Sequence, residues 1–114
     1  MYRTAEAAPL AYAMTQNNLG TAYSELAGLE ERAANLKRAI GCYEAALVYR
    51  TAEAAPLAYA ATQNNLGLTY EVLEEWEKAI VCWEESQRYY AQMGYDYAGY
   101  FAEKIAAARA RLEV

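Results

Sequence analysis

From Pro9 onward, apolar side chains return at three- and four-residue intervals, the spacing that gathers them on one face of an α-helix. Between Pro9 and about Ala27 the inward stripe is Tyr12, Leu19, Gly20, Tyr23 and Ala27, with Gln16 between them. A second helix, from about Glu31 or Arg32 to Tyr49, turns Leu36, Ala39, Ile40, Tyr43, Ala46 and Leu47 inward; Arg32, Lys37, Arg38 and Glu44 form its wet face. A third runs from Pro56 to about Leu73, with Tyr59, Leu66, Gly67 and Tyr70 in the inward roles. A fourth, roughly Glu75 to Met93, carries Trp76, Ala79, Ile80, Trp83, Gln87 and Tyr90. A fifth, about Asp96 to Leu112, carries Tyr97, Phe101, Ile105, Ala108 and Leu112, with Glu103, Lys104, Arg109 and Arg111 mostly off that stripe. No window alternates Val, Ile and Thr with polar residues as a half-buried strand would. The pattern predicts an all-α chain.

Proline and glycine punctuate this pattern. Pro9 and Pro56 suit a first helical turn, and each pushes the residue before it out of helical dihedrals. Gly28 and Gly94 stand where the first and fourth helices should stop. Gly20 lies inside a helix, where it costs about 1 kcal/mol relative to Ala, so a neighbouring helix is expected to come close there.

The pattern also repeats. Tyr2–Tyr23 and Tyr49–Tyr70 are one 22-residue stretch met twice, 47 positions apart, with three differences: Met14 for Ala61, Thr21 for Leu68 and Ala22 for Thr69. That period falls in the range of stacked helical repeats. It predicts a short α-solenoid of helix pairs. Residues 1–8 would be the end of a preceding repeat, 9–50 the first repeat, 51–94 the second with Thr51–Ala55 as linker, and 95–114 a C-terminal capping helix.

The residues of these units resemble the tetratricopeptide repeat (TPR), with its Leu-Gly-x2-Tyr, then Ala-x3-Phe, another aromatic standing here in place of the Phe. Leu66-Gly67-x2-Tyr70 with Ala79-x3-Trp83 fits, and Gly67 to Ala79 spans the family's usual 12 residues. Leu19-Gly20-x2-Tyr23 with Ala39-x3-Tyr43 also fits, but Gly20 to Ala39 spans 19, so the first unit carries seven extra residues. Each helix is expected to be longer by up to a turn around a link near Gly28 to Glu30. Gln16 and Gln63 replace the family's first Trp, Ser86 replaces a small apolar residue, and the closing Pro is missing. The long unit with Thr-Gln-Asn-Asn-Leu-Gly is similar to a longer-unit bacterial class of this family.

The resemblance implies a scaffold that binds a protein or peptide on the concave side, where the first helix of each pair lies. The positions that would point there are Asn17, Asn18, Thr21 and Ser24, with Met14 and Glu25, and in the second unit Asn64, Asn65, Leu68 and Glu71, with Ala61 and Val72. In peptide-binding members of the family, an Asn at the place of Asn18 and Asn65 bonds the N–H and C=O of an extended peptide, as a side-chain amide can. The alternative for these Asn is hydrogen bonding between neighbouring helices. The matching positions hold no Lys or Arg, which argues against a clamp on a peptide's terminal carboxylate. The other reading is self-association, as a homodimer or by end-to-end stacking, through an open N-terminal repeat face.

Charge and composition narrow this further. The formal charge of −5 disfavours nucleic acid or an anionic membrane as partner. With no membrane-span-length apolar run and no signal pattern, the cytoplasm is the expected compartment. There is no histidine, glycine-rich phosphate loop or metal-spaced cluster, so no catalytic residue, metal or cofactor is expected and the chain reads as not an enzyme. Cys42 and Cys82 hold matching places in their units. Stacked pairs set such places about 8–10 Å apart, beyond the roughly 7 Å reach of a disulfide. The twelve tyrosines are expected as core and rim. Glu30-Glu31 and Glu74-Glu75 are expected as acidic helix starts.

Overall fold

A computed structural model describes residues 8–113. The expected stub at residues 1–8 therefore lies, but for Ala8, outside the described residues, as does Val114. Five helices follow in order: α1 (Pro9–Ala27), α2 (Arg32–Leu47), α3 (Pro56–Val72), α4 (Trp76–Gln92) and α5 (Ala98–Leu112). Among the described residues there is no strand. The helices form a slab of 46 × 38 × 17 Å in which α1 packs on α2, α3 on α4 and α4 on α5, with α2 and α1 meeting α3 more lightly.

The ends follow local chemistry. Pro9 and Pro56 open α1 and α3, behind Ala8 and Ala55 in extended dihedrals. Gly28 closes α1, and Gly94 follows α4 at a φ of +85°, a conformation that glycine adopts freely. Glu74 holds the corresponding place after α3 with a φ of +59°. There the Glu75 N–H donates to the Tyr70 carbonyl at 2.9 Å, as the Tyr95 N–H does to Tyr90 at 2.9 Å after α4. This is the six-to-one bond of a Schellman stop. Glu74 thus ends α3 instead of opening α4, and neither Glu31 nor Glu75 caps a helix through its side chain.

Two close approaches hold the pairs together. A Cβ on Gly20 would stand 2.7 Å from the Tyr43 ring, and one on Gly67 would run into Trp83 Nε1. The interior glycines therefore seat the buried aromatic of the partner helix, as their cost demanded. The seven extra residues of the first unit are unevenly shared. Relative to the second unit, α1 runs two residues further beyond its glycine, the link is one longer, and α2 starts four earlier before Ala39. The added first turn of α2 brings in buried Asn35, which donates to the Glu30 carbonyl at 3.0 Å and accepts from Arg38 at 2.8 Å.

The core has two centres. Ala39, Tyr43, Leu66 and Cys82 form one, where the two helix pairs meet. Ala79, Ile80 and Trp83 form the other with Phe101, Ile105 and Ala108, so α5 covers the outer face of α4. Ser86 is buried and donates to the Ala60 carbonyl at 2.8 Å, tying α4 to α3. Three inward assignments are corrected. Leu19 is 42% exposed although its twin Leu66 is 4% exposed, because α2 covers Leu66 and no described helix covers Leu19. Tyr97 and Leu112 are exposed because they sit at the two ends of α5, where α4 covers only one side of each: Tyr97 rests on Tyr90, and Leu112 borders a recess with Trp76.

Leu66→Ala is expected to destabilise the chain by about 2–5 kcal/mol, and Leu19→Ala to stay within about 0.5 kcal/mol, as read from urea midpoints. Gly67→Ala is expected to cost about 1–3 kcal/mol through overpacking and to shift the tryptophan emission, since its methyl group displaces Trp83.

Candidate functional site

Where α1 and α3 come together above α2 lies a cleft of about 340 Å³. Helical spacing aims its walls: Thr21, Ser24 and Glu25 share a face of α1, and Asn65, Leu68, Thr69 and Val72 share one of α3. Arg32, Leu36 and Tyr43 of α2 complete it. Its polar side is a run of hydroxyls. Thr21 Oγ1 lies 3.1 Å from Tyr43 Oη and 3.2 Å from the Asn17 carbonyl oxygen. Ser24 Oγ lies 3.5 Å from Thr69 Oγ1, which donates to the Asn65 carbonyl at 2.9 Å. Each hydroxyl keeps acceptor capacity beyond these bonds. Leu68, Val72 and Leu36 supply apolar wall.

The eight predicted site residues divide among four places. Thr21, Ser24, Asn65 and Leu68 meet in this cleft. Asn17 lies in the seam beside it, where its Oδ1 accepts from Thr62 Oγ1 at 2.9 Å and from Asn65 Nδ2 at 3.2 Å. Arg50 Nη1 donates to the same Thr62 hydroxyl at 3.3 Å. This network joins α1, α3 and the segment after α2, so Asn17 makes the interhelical hydrogen bonds that were the alternative reading of these Asn. Asn18 is exposed and does not line the cleft.

Asn64 and Glu71 face the other way, towards α5. Asn64 borders a recess of about 320 Å³ with Tyr90, Tyr97, Tyr100 and Phe101, and its buried Oδ1 has no hydrogen-bond partner. Glu71 pairs with Lys104 at 3.0 Å, and that ammonium also lies 5.6 Å from the Trp83 ring centroid. The tyrosines of the last turn are rim packing: Tyr90 contacts Tyr97 edge to face at 4.8 Å.

Sequence reasoning missed Thr69, Tyr43, Leu36 and Arg32. Thr69 lies one turn beyond Asn65, but its twin is Ala22, which hid it as a polar site. Arg32 places a cation in the cleft although α1 and α3 contribute none there; it comes from the added first turn of α2.

Both cysteines are free. Burial pushes the Cys82 thiol up to about 11 and raises Cys42 as well. Tyr59 is pushed up to about 12, first by burial and then by its hydrogen bond to the Glu85 carboxylate. Among the described residues no cluster of three or more His, Cys, Asp or Glu could hold a metal ion, and no helix is long and apolar enough to cross a membrane. Comparison with protein-family models, curated proteins and solved structures finds no match.

Asn17→Ala is expected to cost about 1–3 kcal/mol in urea denaturation, because the buried Thr62 hydroxyl and Asn65 amide lose their shared acceptor. Asn18→Ala, one residue on, is expected to stay within about 0.5 kcal/mol.

Proposed function

We propose that this chain is a peptide-recognition module: a short right-handed α-solenoid of TPR-like pairs, closed by α5, that takes an extended segment of a protein partner in the cleft between α1 and α3. The observation that carries this reading is the meeting of Thr21, Ser24, Asn65 and Leu68, named from sequence alone, in a single cleft. Their chemistry suits a backbone. Asn65 directs Nδ2 to Asn17, which leaves its Oδ1 to accept a peptide N–H. The neighbouring hydroxyls can donate to, or accept from, the same strand. Leu68, Val72 and Leu36 give one apolar side chain of the ligand a place to be buried, which supplies the area-dependent part of the affinity.

Charge favours a neutral or basic segment. Glu25 lies in the cleft, and the chain as a whole carries −5. Arg32 at the α2 edge offers a carbonyl or carboxylate of the ligand a single charged donor.

A random peptide library displayed against the full chain tests this. The reading expects enriched neutral-to-basic sequences with one apolar anchor, whose affinity falls about tenfold or more in Asn65→Ala, the equivalent of one hydrogen bond to a backbone group. Leu68→Lys should abolish capture, and Asn18→Ala should leave it unchanged. No enrichment, or enrichment indifferent to Asn65→Ala and Leu68→Lys, overturns the reading.

A further inference from the structure

The duplication allows one surface to be read from another. In the second copy Thr62, Leu66 and Thr69 are buried at the junction with the first helix pair. Leu66 packs there with Ala39, Tyr43 and Cys82, and Thr62 bonds Asn17 and Arg50. Their twins, 47 positions earlier, are Thr15, Leu19 and Ala22, and all three are exposed. Asn18 is exposed where Asn65 is half-buried, and Cys42 is half-buried where Cys82 is buried. Four of these five pairs are the same residue type. Intrinsic preference cannot separate their members, so the difference lies in what covers them.

We propose that the outer face of α1, formed by Thr15, Asn18, Leu19 and Ala22 beside Cys42, is a stacking interface for a further helix pair of this same type, joined ahead of Pro9. This inference uses a different surface from the cleft and does not depend on the peptide reading. The occupant is specified by the junction that already exists. It presents an α2-like helix with an alanine, an aromatic four residues on and a leucine four further, as Ala39, Tyr43 and Leu47 do. An Asn in the place of Asn17 would accept from Thr15 and Asn18. In sequence, Tyr2–Ala8 is identical, residue for residue, to Tyr49–Ala55, the segment that leads out of α2 into α3.

A second copy of the chain does not offer this surface. Its α2 face is covered by Leu66, and the equivalent face of α4 is covered by Phe101, Ile105 and Ala108 of α5. Head-to-tail stacking of intact chains would have to uncover one of these cores first.

The test joins a copy of residues 9–48, with its own cysteine changed to serine, directly ahead of Tyr2 of the full chain. Two quantities are read: the alkylation rate of Cys42, with Cys82 as the buried standard, and the Tm. The proposal expects Cys42 alkylation to slow about tenfold or more, as a buried site opening only by local unfolding does, and the Tm to rise by the added nearest-neighbour interface. Leu19→Glu should reverse both effects in the extended chain while leaving the Tm of the original chain unchanged. An extended chain in which Cys42 reacts as fast as before overturns the proposal. So does an unextended chain that light scattering shows to be a dimer and Leu19→Glu converts to a monomer, since the face would then belong to a second copy.

Discussion

An aromatic ring seated on a glycine organises each helix pair. Tyr43 lies against Gly20 and Trp83 against Gly67, so close that a single methyl group on either glycine would intrude on the ring. Glycine inside a helix is unfavourable by about 1 kcal/mol, and burial of a ring of this size, worth roughly 1.5–3 kcal/mol for a large apolar side chain, more than offsets it. The contact also fixes register. Once a ring sits over its glycine, the rows of side chains on both helices are set relative to each other, and the first unit keeps this contact despite seven additional residues between the glycine and the Ala-x3-aromatic element. The added length is taken up beyond the contact, in the end of α1, the link and the first turn of α2.

The seam between α1 and α3 depends on that register. Asn17, Thr62 and Asn65 must meet within hydrogen-bond distance from two helices, with Arg50 arriving from the segment after α2. Polar groups in such a seam are satisfied only in one alignment, so they oppose sliding as well as separation. The cleft is the open side of the same alignment. Its hydroxyls are partly engaged with one another, which holds their rotamers in place, and its apolar wall includes Leu68, which packs on the core that α4 shares with α5. A cleft of this kind is largely preformed, which under the proposed reading lowers the ordering cost of binding.

Much of this was legible in the sequence because its causes are local. Pro9 and Pro56 mark helix starts by their own ring geometry, and Gly94 marks a stop by its freedom at positive φ. The three-and-four spacing of Ala39, Tyr43 and Ala46, or of Phe101, Ile105 and Ala108, selected faces that are buried. Glu74 also stops α3 in a left-handed conformation, and nothing in a Glu-Glu pair announces that role. Among the candidate site residues, Thr21 and Ser24 on α1, and Asn65 and Leu68 on α3, stand at helical spacing and line one cleft. Spacing could not group Arg32 or Tyr43 with them, since these reach the cleft from another helix.

What the chain settled unaided is where helices begin, where they end and which rows of side chains they offer to a neighbour, since those follow from backbone sterics and a period of 3.6 residues. Which of two chemically identical rows is covered was decided only in three dimensions. Leu19 and Leu66 share the same flanking residues and differ about tenfold in exposure, and Asn17 and Asn64 are twins of which one joins a network and the other keeps an unpaired oxygen. Burial and hydrogen bonding belong to a residue together with its neighbours. The second member of each of those partnerships lies dozens of residues away.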